Sequence, residues 1–81
     1  MIRMNRILDE TLRAMLKSIR LESNLSQKEV ADKLQRPQTF VSKYELGERR
    51  LSFTDVAKLC EIFGVSLADF SNCFTAEIQS R

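Results

Sequence analysis

Leu8, Leu12, Met15, Leu16 and Ile19 recur at steps of three and four, with Arg13, Lys17 and Arg20 off that stripe. This period predicts a helix over about 9–23, and Asn24 suits the left-handed stop that follows. Ser26 with Glu29 three residues later is a capping-box signature. It opens a second helix over about 27–34 that buries Val30, Ala31 and Leu34. Arg36 precedes the chain's single proline and is pushed out of the helical region. Pro37 has its φ preset for a first helical turn, so a third helix is expected over about 37–45, stopped by Gly47. Ser52 with Asp55 opens a fourth, whose apolar side is Val56, Leu59, Cys60 and Phe63, with Gly64 as its stop. Ser66 with Asp69 opens a fifth, on which Leu67, Phe70 and Phe74 share a face; the pattern leaves open whether 75–81 continues it. No segment sustains period-two alternation with turn chemistry, so the expected fold is all-α, a compact bundle of five helices.

With 81 residues, 43% of them hydrophobic, the chain is long enough for one domain with a modest core, placed at about 9–75. No apolar run approaches the ~20 residues that span a bilayer. The start "MIRMNRILDETL" has neither a long apolar stretch nor a small-residue cleavage site. Both features point to a cytoplasmic protein and away from a membrane. Cys60 and Cys73 are too far apart for a CxxC pair, and the chain has no histidine. Two reduced cysteines are expected, at least one in the core, with no metal site and no cofactor. An enzyme is disfavoured for the same reasons: no histidine for proton transfer, no recognisable nucleophile spacing and no Gly-rich phosphate loop.

The net charge of +2 says little, but its distribution says more. Residues 13–50 carry nine Lys and Arg against five Asp and Glu, whereas 51–81 carry two against four. Positive charge is therefore concentrated around the second and third helices, which suits a polyanion. On a wheel of ~100° per residue, Gln38, Thr39, Ser42 and Lys43 share an arc of ~140°, with Phe40, Val41 and Tyr44 opposite. The back of this helix packs and its front is wet. A helix fits the major groove of B-DNA; there Gln pairs with adenine, Lys with guanine, and Thr or Ser with bases or phosphates. A capped helix, a short turn and a second short helix form a helix-turn-helix over about 26–45, the second helix being the reader. Gln27, in the first turn of the second helix, sits where free amides and a positive dipole favour a phosphate. RNA is less favoured, since no paired aromatic platform or clamp loop is present.

These residues carry a resemblance. The segments "LSQKEVADKL", "VSKYELGER" and "IFGVSL", in this order, resemble the phage repressor and Cro-type helix-turn-helix family, the xenobiotic-response-element (XRE) family, over roughly residues 12–74. The resemblance implies a five-helix, lambda-repressor-like domain that binds double-stranded operator DNA, usually as a dimer. It implies base reading by Gln38, Thr39 and Lys43 and a phosphate contact by Gln27. Pro37 and Ser42 lie beside the base-reading positions, and Arg36, Arg49 and Arg50 join them as candidate backbone or edge contacts. Arg20 and Glu45 match a pair that forms a salt bridge between the first and third helices, with Arg20 also expected near a phosphate. Two positions depart from the family pattern: Gln35 stands where the turn often has glycine, and Glu48 lies in a loop used near phosphate.

The function expected is that of a dimeric repressor reading an inverted repeat. The alternative is an antitoxin or other protein-interaction module that binds a partner protein and regulates its own operon. Leu67 and Phe70 are assigned to the core in either case, and Phe74 and Ile78 to a dimer or partner surface.

Overall fold

A computed structural model describes residues 2–80, with side chains from Arg6 onward. Five helices follow one another: α1 (Ile2–Glu22), α2 (Gln27–Leu34), α3 (Gln38–Leu46), α4 (Phe53–Phe63) and α5 (Leu67–Gln79). There is no strand among the described residues. Helix α2 packs chiefly on α3 and α1 chiefly on α5, while α4 touches α1, α2 and α5. Their apolar sides meet in one core built from Leu16, Val30, Ala31, Phe40, Val41, Tyr44, Val56, Leu59, Cys60 and Phe70. Each fully buried large side chain in such a core contributes about 1.5–3 kcal/mol.

The helix starts follow local chemistry. Ser26 accepts from the Glu29 backbone N–H at 3.0 Å, and the Glu29 carboxylate accepts from the Ser26 backbone N–H at 2.8 Å. Ser52 and Asp55 repeat this reciprocal box at the head of α4, with both bonds at 3.0 Å. Ser66 accepts from the Asp69 backbone N–H at the head of α5. The backbone bond from Ser26 holds the Glu29 carboxyl below its ordinary range. Burial opposes the same change at Asp55, but the bonds from Ser52, with Arg36 and Lys58 nearby, still lower it.

The first four helices end alike. Leu25 N–H reaches Arg20 O, Arg36 N–H reaches Ala31 O, Glu48 N–H reaches Lys43 O and Val65 N–H reaches Cys60 O. Each is the six-to-one bond of a Schellman stop, which needs a left-handed residue just before the donor. Asn24, Gln35, Gly47 and Gly64 supply it, with φ of 58°, 60°, 84° and 71°. Gln35 thus holds a conformation that glycine adopts freely, at a strain of roughly 1 kcal/mol.

Two boundaries differ from expectation, and one that was open is decided. Helix α1 begins at Ile2 rather than near Asp9. Nothing in "IRMNRILD" breaks a helix, and an Arg6–Glu10 pair at 3.4 Å spans one turn there. Pro37 is the residue before α3, not its first turn: its ψ of 152° is extended, and the helix runs Gln38–Leu46. The proline's φ suits both positions, so the sequence cannot separate them. The open tail stays helical to Gln79, and Arg81 lies outside the described residues. Phe70 is buried as expected, Leu67 packs against the core, and Phe74 and Ile78 are half-buried. Cys60 is buried and Cys73 exposed, both as free thiols, and burial pushes the Cys60 thiol up.

Candidate nucleic-acid interface

Helix α3 divides as its wheel predicts. Phe40, Val41 and Tyr44 are buried, Gln38, Thr39 and Lys43 are exposed, and Ser42 is intermediate. Phe40 and Tyr44 meet edge to face, with centroids 5.9 Å apart, and fix the back of the helix. The Ser42 hydroxyl lies 3.4 Å from the carbonyls of Gln38 and Thr39, turned toward its own helix.

One buried carboxylate sets how α3 sits on the rest of the molecule. Glu45 Oε2 accepts from Arg20 Nε at 2.7 Å, and Glu45 Oε1 accepts from Arg20 Nη2 at 3.1 Å. Arg20 Nη1 donates to the Leu25 carbonyl at 2.9 Å, in the turn between α1 and α2. Gln27 Nε2 donates to Glu45 Oε1 at 2.9 Å. An ionised carboxylate only accepts, so the Gln27 amide nitrogen must face it. The hub therefore joins α1, the α1–α2 turn, α2 and α3 through charge-assisted bonds, the strong class. The Glu45 hydrogen bond raises the Arg20 guanidinium above its ordinary range while burial pulls the other way. The Arg20 side chain is only 9% exposed, and the hub takes three of its five N–H donors, so the structural role is the one that the geometry carries.

Gln27 is half-buried at the first position of α2. One amide hydrogen is spent on Glu45. Its second amide hydrogen and its backbone N–H are what remain for an anion. Arg36 and Arg49 both approach the Phe40 ring, their guanidinium carbons 4.5 and 4.8 Å from its centroid. Arg36 Nη2 also lies 3.8 Å from Asp55 Oδ1. Arg50 does not join them on the ring; its Nη2 lies 3.8 Å from Asp9 Oδ2. Pro37 and Glu48 are exposed.

The structure thus brings Gln38, Thr39 and Lys43 onto one open face, with Arg36 and Pro37 at its N-terminal end. It places Arg49 and Arg50 on the loop that follows α3. The clasp of Phe40 by two arginines was not foreseen, and neither was a neighbouring position of Arg13, whose guanidinium lies over Gly47. A Cβ on Gly47 would fall 2.8 Å from the Arg13 guanidinium carbon. The spacing of Arg36 and Phe40 was the available signal for the first; nothing local signals the second.

This arrangement has known counterparts. A family model described as helix-turn-helix matches residues 16–70. Among solved structures, the chain is similar to the wild-type restriction-modification controller protein C.Esp1396I, at 26% identity and a TM-score of 0.81, over 89% of this chain and 95% of that one. A Tyr-to-Phe variant of that controller gives 28% identity and a TM-score of 0.80, over 89% and 91% of the two chains. The clp gene regulator ClgR from Corynebacterium glutamicum is similar at 26% identity and a TM-score of 0.77, over 89% and 77%. No curated protein matches the chain. The family match spans most of the chain and takes in both helices of the motif and the hub that orients them; this protein belongs to the XRE family of helix-turn-helix proteins and is a DNA-binding transcriptional regulator.

Proposed function

We propose that the protein acts in the cytoplasm as a homodimeric, sequence-specific repressor that reads an inverted-repeat operator through α3. The observation that carries this reading is the asymmetry of α3. Its back is packed and hydrogen-bonded, while Gln38, Thr39 and Lys43 stand exposed on the front. Gln38 pairs with adenine, Lys43 with guanine, and Thr39 uses its hydroxyl or methyl on a base edge. Arg36, Pro37, Ser42, Arg49, Arg50 and the head of α2 at Gln27 position the helix on the sugar-phosphate backbone. Phe74 and Ile78, half-buried on α5, form the seam between two copies. A two-fold pair of reading helices about 34 Å apart prefers an inverted repeat. The likeness to a restriction-modification controller and a clp gene regulator supports control of transcription.

The test is selection from a random double-stranded DNA library near physiological salt, with the Gln38→Ala/Lys43→Ala variant alongside. The expected result is an enriched inverted repeat that the variant loses. A single half-site would remove the dimer and keep the reader. No enrichment by the wild type would overturn DNA reading and move the function to the partner-protein alternative at Phe74 and Ile78.

A further inference from the structure

Helix α1 and the loop after α3 enclose a pocket of about 190 Å³ whose polar lining is Asp9, Arg13, Tyr44, Arg49 and Arg50, with Gly47 beside them. Three guanidinium groups thus face one carboxylate. Their donors are largely unspent: among the described residues, the arginine side-chain hydrogen bonds belong to Arg6 and Arg20. Arg50 approaches Asp9 only to 3.8 Å, and Asp9 is itself 47% exposed. Tyr44 also lines the pocket, but its hydroxyl is sealed from solvent and its charged neighbours are Glu45 and Arg20, so it is not among the pocket's donors. Donors from three arginines facing a single, half-exposed carboxylate describe the complement of an oxyanion.

A competing role for Arg13 is to offset the negative end of the α3 dipole. The last carbonyls of α3 already have partners, Gly47 N–H to Tyr44 O and Glu48 N–H to Lys43 O. Arg13 donates to neither; its guanidinium lies flat against Gly47, where a side chain would displace it.

We propose that Arg13, Arg49 and Arg50 form a phosphate-binding pocket at the α1 side of the α3 loop. The DNA form of this proposal rests on the regulator reading above: a backbone phosphate enters the pocket, and α1 joins the DNA interface through Arg13. The same chemistry also accepts the phosphate of a free small molecule.

Two measurements on the full chain separate these sources. The first is the salt dependence of duplex affinity for wild type, Arg13→Met and Lys17→Met, the last removing an equal charge from the exposed side of α1. The slope of log K against log salt should fall by about 0.9 for Arg13→Met, the loss of one phosphate, and stay unchanged for Lys17→Met. The second is inorganic phosphate titrated into the free protein at constant ionic strength, followed by the backbone amide signals of Tyr44 and Gly47. A changed slope without a phosphate response assigns the pocket to DNA. A phosphate response that Arg13→Met and Arg50→Met abolish, with an unchanged slope, assigns it to a small phosphorylated ligand; both effects together mean it takes either. Equal slopes for Arg13→Met and Lys17→Met with no phosphate response overturn the proposal, and a lowered melting temperature of Arg13→Met then assigns Arg13 to the end of α3. Should the wild type bind no DNA, the regulator reading fails while the phosphate titration still decides the pocket. Arg50→Met removes a guanidinium that is 82% exposed at the same pocket, so it keeps the test open if Arg13→Met does not fold.

Discussion

Helix α3 is nine residues long and buries Phe40, Val41 and Tyr44; α5 is thirteen long and buries only Phe70. The shorter helix is also tied by side chains, through Glu45 to Arg20 and Gln27. The longer one is capped at its head by Ser66, while Phe74 and Ile78 stay half-buried along its length. Apolar side chains from α1 and α5, Met15, Ile19, Phe70 and Cys73 among them, line an open groove between the two helices. A reading surface needs a fixed orientation before DNA arrives, since ordering it on binding would subtract from affinity. The dimer seam proposed on α5 has no such need, because the partner would supply the missing burial.

The contrast breaks first at the hub. Arg20→Ala or Glu45→Ala leaves a buried charge without its partner and should cost about 3–5 kcal/mol. In a chain of this size that lowers the melting temperature by about 12 °C or more. Urea denaturation of both variants checks this, and a loss below about 1 kcal/mol would mean that packing alone holds α3. On the other helix, Phe74→Ala removes a half-buried aromatic and should cost each subunit about 2 kcal/mol, half the penalty of a fully buried one. Its larger effect should be on association: sedimentation at a fixed concentration should show wild-type dimer and mutant monomer.

Lys43→Ala sharpens the comparison from the front of α3. Folding stability should move by no more than about 0.5 kcal/mol. Discrimination at one base position should fall by about 1–3 kcal/mol, measured by competition among single-base operator variants. Equal weakening on every sequence would instead make Lys43 a phosphate contact. Gln35→Gly relieves the left-handed strain in the turn between α2 and α3 and should raise stability by up to about 1 kcal/mol. Gln35 is not among the proposed contacts, so DNA affinity should not change; a loss of stability would show that its side chain packs favourably.

The smallest effect should be acid dependence at the helix heads. The folded Asp55 carboxyl sits below its ordinary range. Its contribution is therefore complete above the unfolded value of about 4 and is lost as pH falls through the lower folded value. Melting temperature followed into acid should decline less steeply for Asp55→Asn than for wild type. An identical decline would place the acid sensitivity elsewhere.

Much of this architecture is legible because its signals are local. Ser26 and Glu29 mark the start of α2, and Arg36 before Pro37 marks the turn that ends it, so the expected range 27–34 matches Gln27–Leu34. The start of α1 was less legible because no capping serine or aspartate marks it. On α3 the split between Phe40, Val41 and Tyr44 and the residues opposite followed from helical period alone. The Arg20–Glu45 pair came from family resemblance; no local pattern links residues 25 apart.

Sequence by itself determined where α2, α4 and α5 start and which face of α3 is wet, because caps and helical period act within a few residues of the chain. Tertiary structure alone decided which polar groups are already spent. Gln27 and Glu45 are 18 positions apart and share a hydrogen bond at 2.9 Å. Arg36 and Arg49 converge on one ring, and Arg13 closes over Gly47. Those meetings depend on how α1, α2 and α3 cross, and the crossing is set by the packing of Leu16, Val30, Val41 and Tyr44 in a shared core rather than by any residue's neighbours in the chain.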